Sequence, residues 1–529
     1  MTPPPDALLA GEAATVPAGA EAMPAHVPVT AVATGQPLVK AKERYVYLDA
    51  MKGVMILWGI PVHACVVSHS KFFHLVSDIS NTVRMEAFFM ISGFLSYMLV
   101  KRYGAGTIMK KRTIATGIPF LTVVALLNPI TNWLILQYHA HGMSGPPPTL
   151  GEFFTGHIPP EYYAKGAPTW NWHLHIWFLA VLLCLASLSA PIMKALDRAK
   201  AALKPVASRM PDWLLLLGAA AAAVFLCGVA RLGFEAVVKK NISESFHYPL
   251  RMVGYYFAFF ALGMATYTSP RILKVFTRCH WFQLLLGWLG LWGGAVWLKS
   301  FPEGSHSTLK QVAEMVNLSA QVYLAVVFVP VLFAFFKRFC SGTQGTMRLS
   351  AMHWVNLVSS AVLLVAAKGL EHLLPQSGTW GVSAATASPT MVKLAAFAER
   401  MWVTPDQFST VVMLAVEGYF FVMACLVIFG LFERFIKKPG APMHFVAESA
   451  FCVYLFHYLV IYLNAFWLRD LVGIKDDYTL SFLVTFFTAG VTMLIYEFAV
   501  NRNAVLKCLF LGKLPKREKA TEWVRFAPK

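Results

Sequence analysis

The chain alternates long apolar runs with short segments that hold most of its charge. A helix rising 1.5 Å per residue needs about 20 apolar residues to cross a hydrocarbon core roughly 30 Å thick. On that measure twelve membrane spans are predicted, at approximately 46–67, 85–100, 113–136, 173–192, 212–230, 252–268, 281–298, 317–336, 352–367, 408–432, 447–468 and 480–500. With a cytoplasmic N-terminus, the segments on that side carry about twice as many Lys and Arg as those opposite, the asymmetry that sets orientation. Both termini are therefore expected in the cytoplasm, and the expected fold is an all-α polytopic membrane protein.

Composition agrees. Of 529 residues 57% are hydrophobic and 14% charged, against roughly a quarter charged in soluble domains. The net charge of +18 would suggest nucleic acid in a soluble protein, but here the basic residues mark span ends, so a lipid bilayer and no nucleic acid is the expected partner. The eight cysteines form no CxxC pair, which argues against a disulfide framework or zinc module. Residues 1–43 open rich in Pro and Ala and read as a disordered cytoplasmic tail. Residues 501–529 form a basic cytoplasmic tail suited to anionic headgroups. The opposite-side loops 137–172 and 368–407 are rich in Pro, Gly, Ser and Thr. Tyr162, Tyr163, Trp170 and Trp172 in the first suit either stacking on sugar rings or an interfacial aromatic belt.

Ionisable residues inside spans are expensive and mark candidate function. The first span, VYLDAMKGVMILWGIPVHACVV, holds Asp49, Lys52 and His63. Eleven residues make almost three turns, so Lys52 and His63 share a face about 16 Å apart along the axis, with a kink expected at Pro61. The plainer reading pairs Asp49 with Lys52 at the interface and bonds His63 to a neighbouring helix. Arg84 and Glu86 enter the second span in RMEAFFMISGFLSYML, where Ser92 and Gly93 permit close helix approach. Lys110, Lys111 and Arg112 open the third span, a cluster suited to phosphates and equally to topology signalling. His173 and His175 open the fourth among tryptophans, a weak metal signal beside an aromatic belt, and no metal is expected. Glu417, His457 and Glu497 lie in the last three spans.

The segments GIPVHA, RMEAFFMISGFLSYML, RTIATGIP, HIWFL, FCVYLFH, IYEF and FLGK, in that order, resemble the acyltransferase 3 family of integral membrane acyltransferases. Within it they are similar to the OpgC (MdoC) group, whose members succinylate osmoregulated periplasmic glucans. The resemblance covers about residues 44–300 and 405–515. It implies a ten-helix core at 44–300 (spans one to seven) and 408–500, with two inserted spans and a loop at 301–407. It implies His63 as catalytic histidine, with Lys52 where the family has Arg eleven residues before it. Lys offers a point charge where Arg offers a bidentate fork. Arg112 and Asp49 join Lys52 as acyl-CoA-binding or electrostatic support, and Arg84, Glu86, His175, His457 and Glu497 match further motif positions along a substrate channel. The implied donor is cytoplasmic acyl-CoA, succinyl-CoA foremost, with no bound cofactor, and the implied acceptor is a periplasmic glucan across the inner membrane. His63 suits a general base or a transient acyl-imidazole. An acetyltransferase for another exported polysaccharide or lipid, and a glucan transporter or flippase without acyl transfer, remain alternatives.

Overall fold

The computed structural model describes residues 46–140, 147–157, 172–278, 280–302, 307–340, 351–373, 410–424 apart from 411, 414 and 422, and 441–514. All of them belong to one compact unit, Tyr45–Lys529. Among the described residues there are helices and turns and no strand, which suits apolar segments in a bilayer: each backbone polar group of a helix is satisfied within its own segment. Tyr162, Tyr163 and Trp170, the first tail, residues 515–529 of the second and most of the loop 368–407 lie outside the described residues.

The first predicted span is two helices, α1 (Val46–Leu57) and α2 (Gly59–Ala64). Pro61 has no N–H for the Leu57 carbonyl, and the helix breaks at Trp58, one turn before the proline expected to kink it. The segment expected at 85–100 is the C-terminal half of one 33-residue helix, α3 (Lys71–Tyr103). Then follow α4 (Ala105–Ala140), the short α5 (Leu150–Thr155), α6 (Trp177–Ser187) and α7 (Ser189–Arg209). Helix α5 stands inside an expected loop because Thr149 and Glu152 close a capping box on its first turn.

The rest of the bundle is α8 (Asp212–Gly233), α9 (His247–Thr268), α10 (Pro270–Val275), α11 (Trp281–Lys299), α12 (Thr308–Cys340), α13 (Ala351–Leu373), α14 (Ala441–Phe466), α15 (Asp477–Leu494) and α16 (Ala504–Leu511). Among the described residues seven helices are long and apolar enough to cross a membrane, or eight when the segment bent by 55° between Ser187 and Ser189 counts as one span. The protein is thus an all-α polytopic membrane protein, and seven or eight of the twelve expected spans have such a helix among the described residues. Met51–Val67 and Trp354–Lys368 are apolar but shorter, α9 lies outside that set, and the span expected at 408–432 is helical where described.

Close packing rests on small residues. A Cβ at Gly93 of α3 would overlap the Phe260 carbonyl oxygen of α9, and one at Gly263 of α9 would overlap the Met90 carbonyl oxygen of α3. The two backbones therefore touch at reciprocal glycines, as small-residue helix pairs do. Phe89 stacks on Tyr256 beside this crossing, centroids 4.4 Å apart. Helix α12, which the resemblance assigned to an insertion, packs at the centre, with Val322, Leu324, Ala325 and Val326 fully buried. By contrast α11 turns Phe282 and Trp292 outward, 78% and 70% exposed, an apolar surface that fits lipid.

Helices α1 and α14 set the frame of the site. A Cβ at Gly53 would lie 3.3 Å from the Ala447 Cα, so the second half of α1 meets the first part of α14 closely.

Candidate functional site

Ten residues beyond each side of the Gly53–Ala447 contact stand His63 and His457, their ring centroids 5.2 Å apart. Equal spacing on the two helical segments, about 15 Å of helical rise, carries both imidazoles to the same level of the bundle. His175 arrives from the turn before α6, 4.8 Å from His457 between centroids. Tyr458 packs edge-on against His63 at 5.1 Å and stacks on His175 at 5.0 Å. Three imidazoles from three separate segments thus converge around one tyrosine ring.

Their tautomers follow from their partners. The Tyr454 carbonyl accepts from His457 Nδ1 at 2.7 Å and from His175 Nε2 at 3.0 Å. A carbonyl only accepts, so those nitrogens carry the protons, and in the neutral rings His457 Nε2 and His175 Nδ1 hold lone pairs. Among the described residues neither nitrogen has a hydrogen-bond partner. The Tyr454 hydroxyl in turn donates to the His175 carbonyl at 2.6 Å. His175 is aimed inward by a turn in which Leu174 takes φ +37°, a left-handed conformation that a branched side chain adopts only under constraint. His173, two residues earlier, stacks instead on Tyr248 at 5.4 Å. Among the described residues no group of three or more His, Cys, Asp or Glu is placed to share one metal ion.

Arg84 completes the cluster. Its Nε donates to Ser80 Oγ at 2.6 Å, and its Nη1 lies 3.0 Å from the Cβ position of Gly59. Gly59 is one turn before His63 on the same face of α2, so the guanidinium sits directly below the imidazole, and any side chain at 59 would crowd it. Glu86 is buried on a different face of α3, where the Tyr255 hydroxyl donates to its Oε1 at 3.2 Å.

The remaining expected residues lie elsewhere. Lys52 pairs with Asp49 at 3.2 Å, both about one-third exposed. Glu497 pairs with Arg502 at 3.7 Å, and its neighbour Tyr496 touches Phe445 near the start of α14. Lys52 and Glu497 therefore share one end of the bundle, away from the histidines. Arg112 is half-buried on α4, one turn before Ala115, against which the left-handed Gly512 turn packs. Trp172 donates its Nε1–H to the Ser245 carbonyl at 3.0 Å and is tied to the turn before α9. Tyr454 and Tyr458 escape sequence reasoning, although their placement beside His457 and one turn before Tyr462 was a readable signal.

Comparison with known proteins gives two positive findings. A family model described as an acyltransferase domain matches residues 45–365. The glucans biosynthesis protein C of Salmonella paratyphi A, of Salmonella agona and of Salmonella dublin are each 29% identical over 255 residues, 45% of this chain and 62% of theirs. The chain thus spans less than two-thirds of the length of these relatives. No solved structure matches it.

Proposed function

The chain belongs to the acyltransferase 3 family of membrane acyltransferases, and from that premise we propose that it moves a succinyl group from cytoplasmic acyl-CoA across the inner membrane to hydroxyls of a periplasmic glucan. The reading is supported by the relatives' printed role in glucan biosynthesis and carried by one observation, the convergence of His63, His457 and His175 above the Arg84 guanidinium.

In this account Arg112 and Lys52 meet the CoA phosphates at the cytoplasmic mouth, and the pantetheine arm spans the distance to His63. Neutral His63 takes the proton of a sugar hydroxyl as its oxygen attacks the thioester carbonyl. The new C–O bond forms, the C–S bond breaks, and the thiolate leaves with a proton returned by the imidazolium. His457 and Tyr458 hold the His63 ring. Arg84, one turn below, grips the free carboxylate of a succinyl chain, a fork-to-fork pairing that an acetyl group does not offer.

The test is mass spectrometry of periplasmic glucans from cells lacking the gene and complemented with wild type or His63→Ala at equal expression. A succinyl increment with wild type and none with the variant is expected. An acetyl increment would transfer the reading to an acetyltransferase, and unmodified glucan in both strains would overturn the acceptor.

A further inference from the structure

Past the histidines, on the side of the bundle away from Lys52, a cavity of about 620 Å³ opens between residues 66–69, the end of α4 and the turn after α14. A row of aromatic rings leads to it from the histidine cluster. His63 touches Tyr458, Tyr458 lies 5.7 Å from Tyr462, and Tyr462 lies 5.6 Å from Tyr138 in the cavity wall. The Arg469 guanidinium caps the Tyr138 ring at 5.3 Å. From Tyr458 to Arg469 is eleven residues, roughly 16 Å of helix. The last of them lie in a π-turn, Trp467–Leu471, a distortion frequent at functional sites.

We propose that this cavity is the acceptor subsite and takes a neutral saccharide chain, one of whose hydroxyls reaches His63. The proposal rests on the acyl-transfer reading above for its role. Its volume lies within the roughly 300–1,000 Å³ of small-molecule sites. Its chemistry separates a sugar from an anion. Two carboxylates, Asp470 and Asp477, face two cations, Arg469 and Lys475, around the Tyr138 ring. Every sugar hydroxyl both donates and accepts, so carboxylates and cations together satisfy it. With two acids offsetting the two cations, the lining offers a phosphate or carboxylate ligand no net positive charge from these four groups. Tyr138 is buried and locked in place, its hydroxyl donating to the Val67 carbonyl at 2.6 Å, and its ring holds the Arg469 guanidinium at the cavity wall, where the fork can meet sugar hydroxyls.

The experiment titrates a linear glucose hexasaccharide into the full-length protein in nanodiscs, with acceptor-dependent CoA release measured in parallel. Arg469 is exposed, so Arg469→Ala is expected to fold. It should bind the hexasaccharide about tenfold more weakly, the loss of one hydrogen bond to a charged group, and Asp477→Asn should weaken it independently. Unchanged binding in both variants overturns the proposal, as does displacement of the sugar by inorganic phosphate at low millimolar concentration. If CoA release depends on the hexasaccharide but its KM is the same in Arg469→Ala, the subsite falls and acyl transfer stands. If Arg469→Ala loses sugar binding and no acyl-CoA is consumed with any acceptor, the saccharide site stands and the acyl-transfer reading falls.

Discussion

His63 and His457 face each other across two helices that already touch ten residues earlier, at Gly53 and Ala447. The glycine contact fixes how closely the helices run, and the equal spacing fixes which side chains meet. A catalytic imidazole needs such a neighbour, because a shift of about 1 Å in a reacting group can cost a hundredfold in rate. His457→Gln is therefore expected to lower kcat roughly a hundredfold, with KM for donor and acceptor little changed. A fall in binding with kcat intact would assign His457 to substrate contact instead.

Arg84 gives a prediction about donor choice. Arg84→Gln removes the bidentate fork beside His63, so kcat/KM for succinyl-CoA should drop by about tenfold to a hundredfold, one to two such hydrogen bonds. Acetyl-CoA, which has no distal carboxylate, should lose much less, and the ratio of the two donors is the quantity to measure. An equal loss for both donors would make Arg84 a structural brace.

The α3–α9 crossing predicts a stability contrast. Gly263→Ala places a methyl group on the Met90 carbonyl, whereas a Cβ at Gly218 of α8 meets nothing within 4 Å. Overpacking of this kind costs about 1–3 kcal/mol, so Gly263→Ala should lower the thermal midpoint in detergent and Gly218→Ala should leave it at or above wild type.

A pH-dependent element lies outside the membrane, at the start of α15. Burial alone would raise the Asp476 carboxyl, but Lys368 Nζ at 2.5 Å and the Thr479 amide at 2.8 Å hold it below the usual carboxylate range. Its stabilisation is complete above its unfolded value of about 4 and is lost as pH falls through the lower folded value. Protection against hydrogen exchange in the first turn of α15, measured relative to the intrinsic rate at each pH, should therefore fall on acidification below about pH 4, and Asp476→Asn should show the lower protection already at neutral pH.

Much of the fold was legible in the chain. Apolar runs mark the helices, and ionisable residues inside them mark His63 as a candidate because charge in such runs is rare, whereas Arg84, His175 and His457 are weak signals taken singly. Boundaries failed where packing replaced lipid. The first half of α3 carries Asp78 and Asn81 and is too polar to count as a span, yet it is helical because it packs on α2 and α15. Periodicity placed Lys52 and His63 on one helix and stopped there, since what His63 meets depends on α14, hundreds of residues away. Nor does sequence separate His175 from His173. The left-handed turn at Leu174 sends one ring into the cluster and the other to Tyr248.

The most direct test of the account is acyl-CoA turnover by purified His63→Ala in the presence of a glucan acceptor, beside wild type with the same thermal midpoint. The account predicts that acceptor-dependent CoA release falls at least a hundredfold, in line with the loss of a general base. Near-normal release from a folded His63→Ala protein would contradict it.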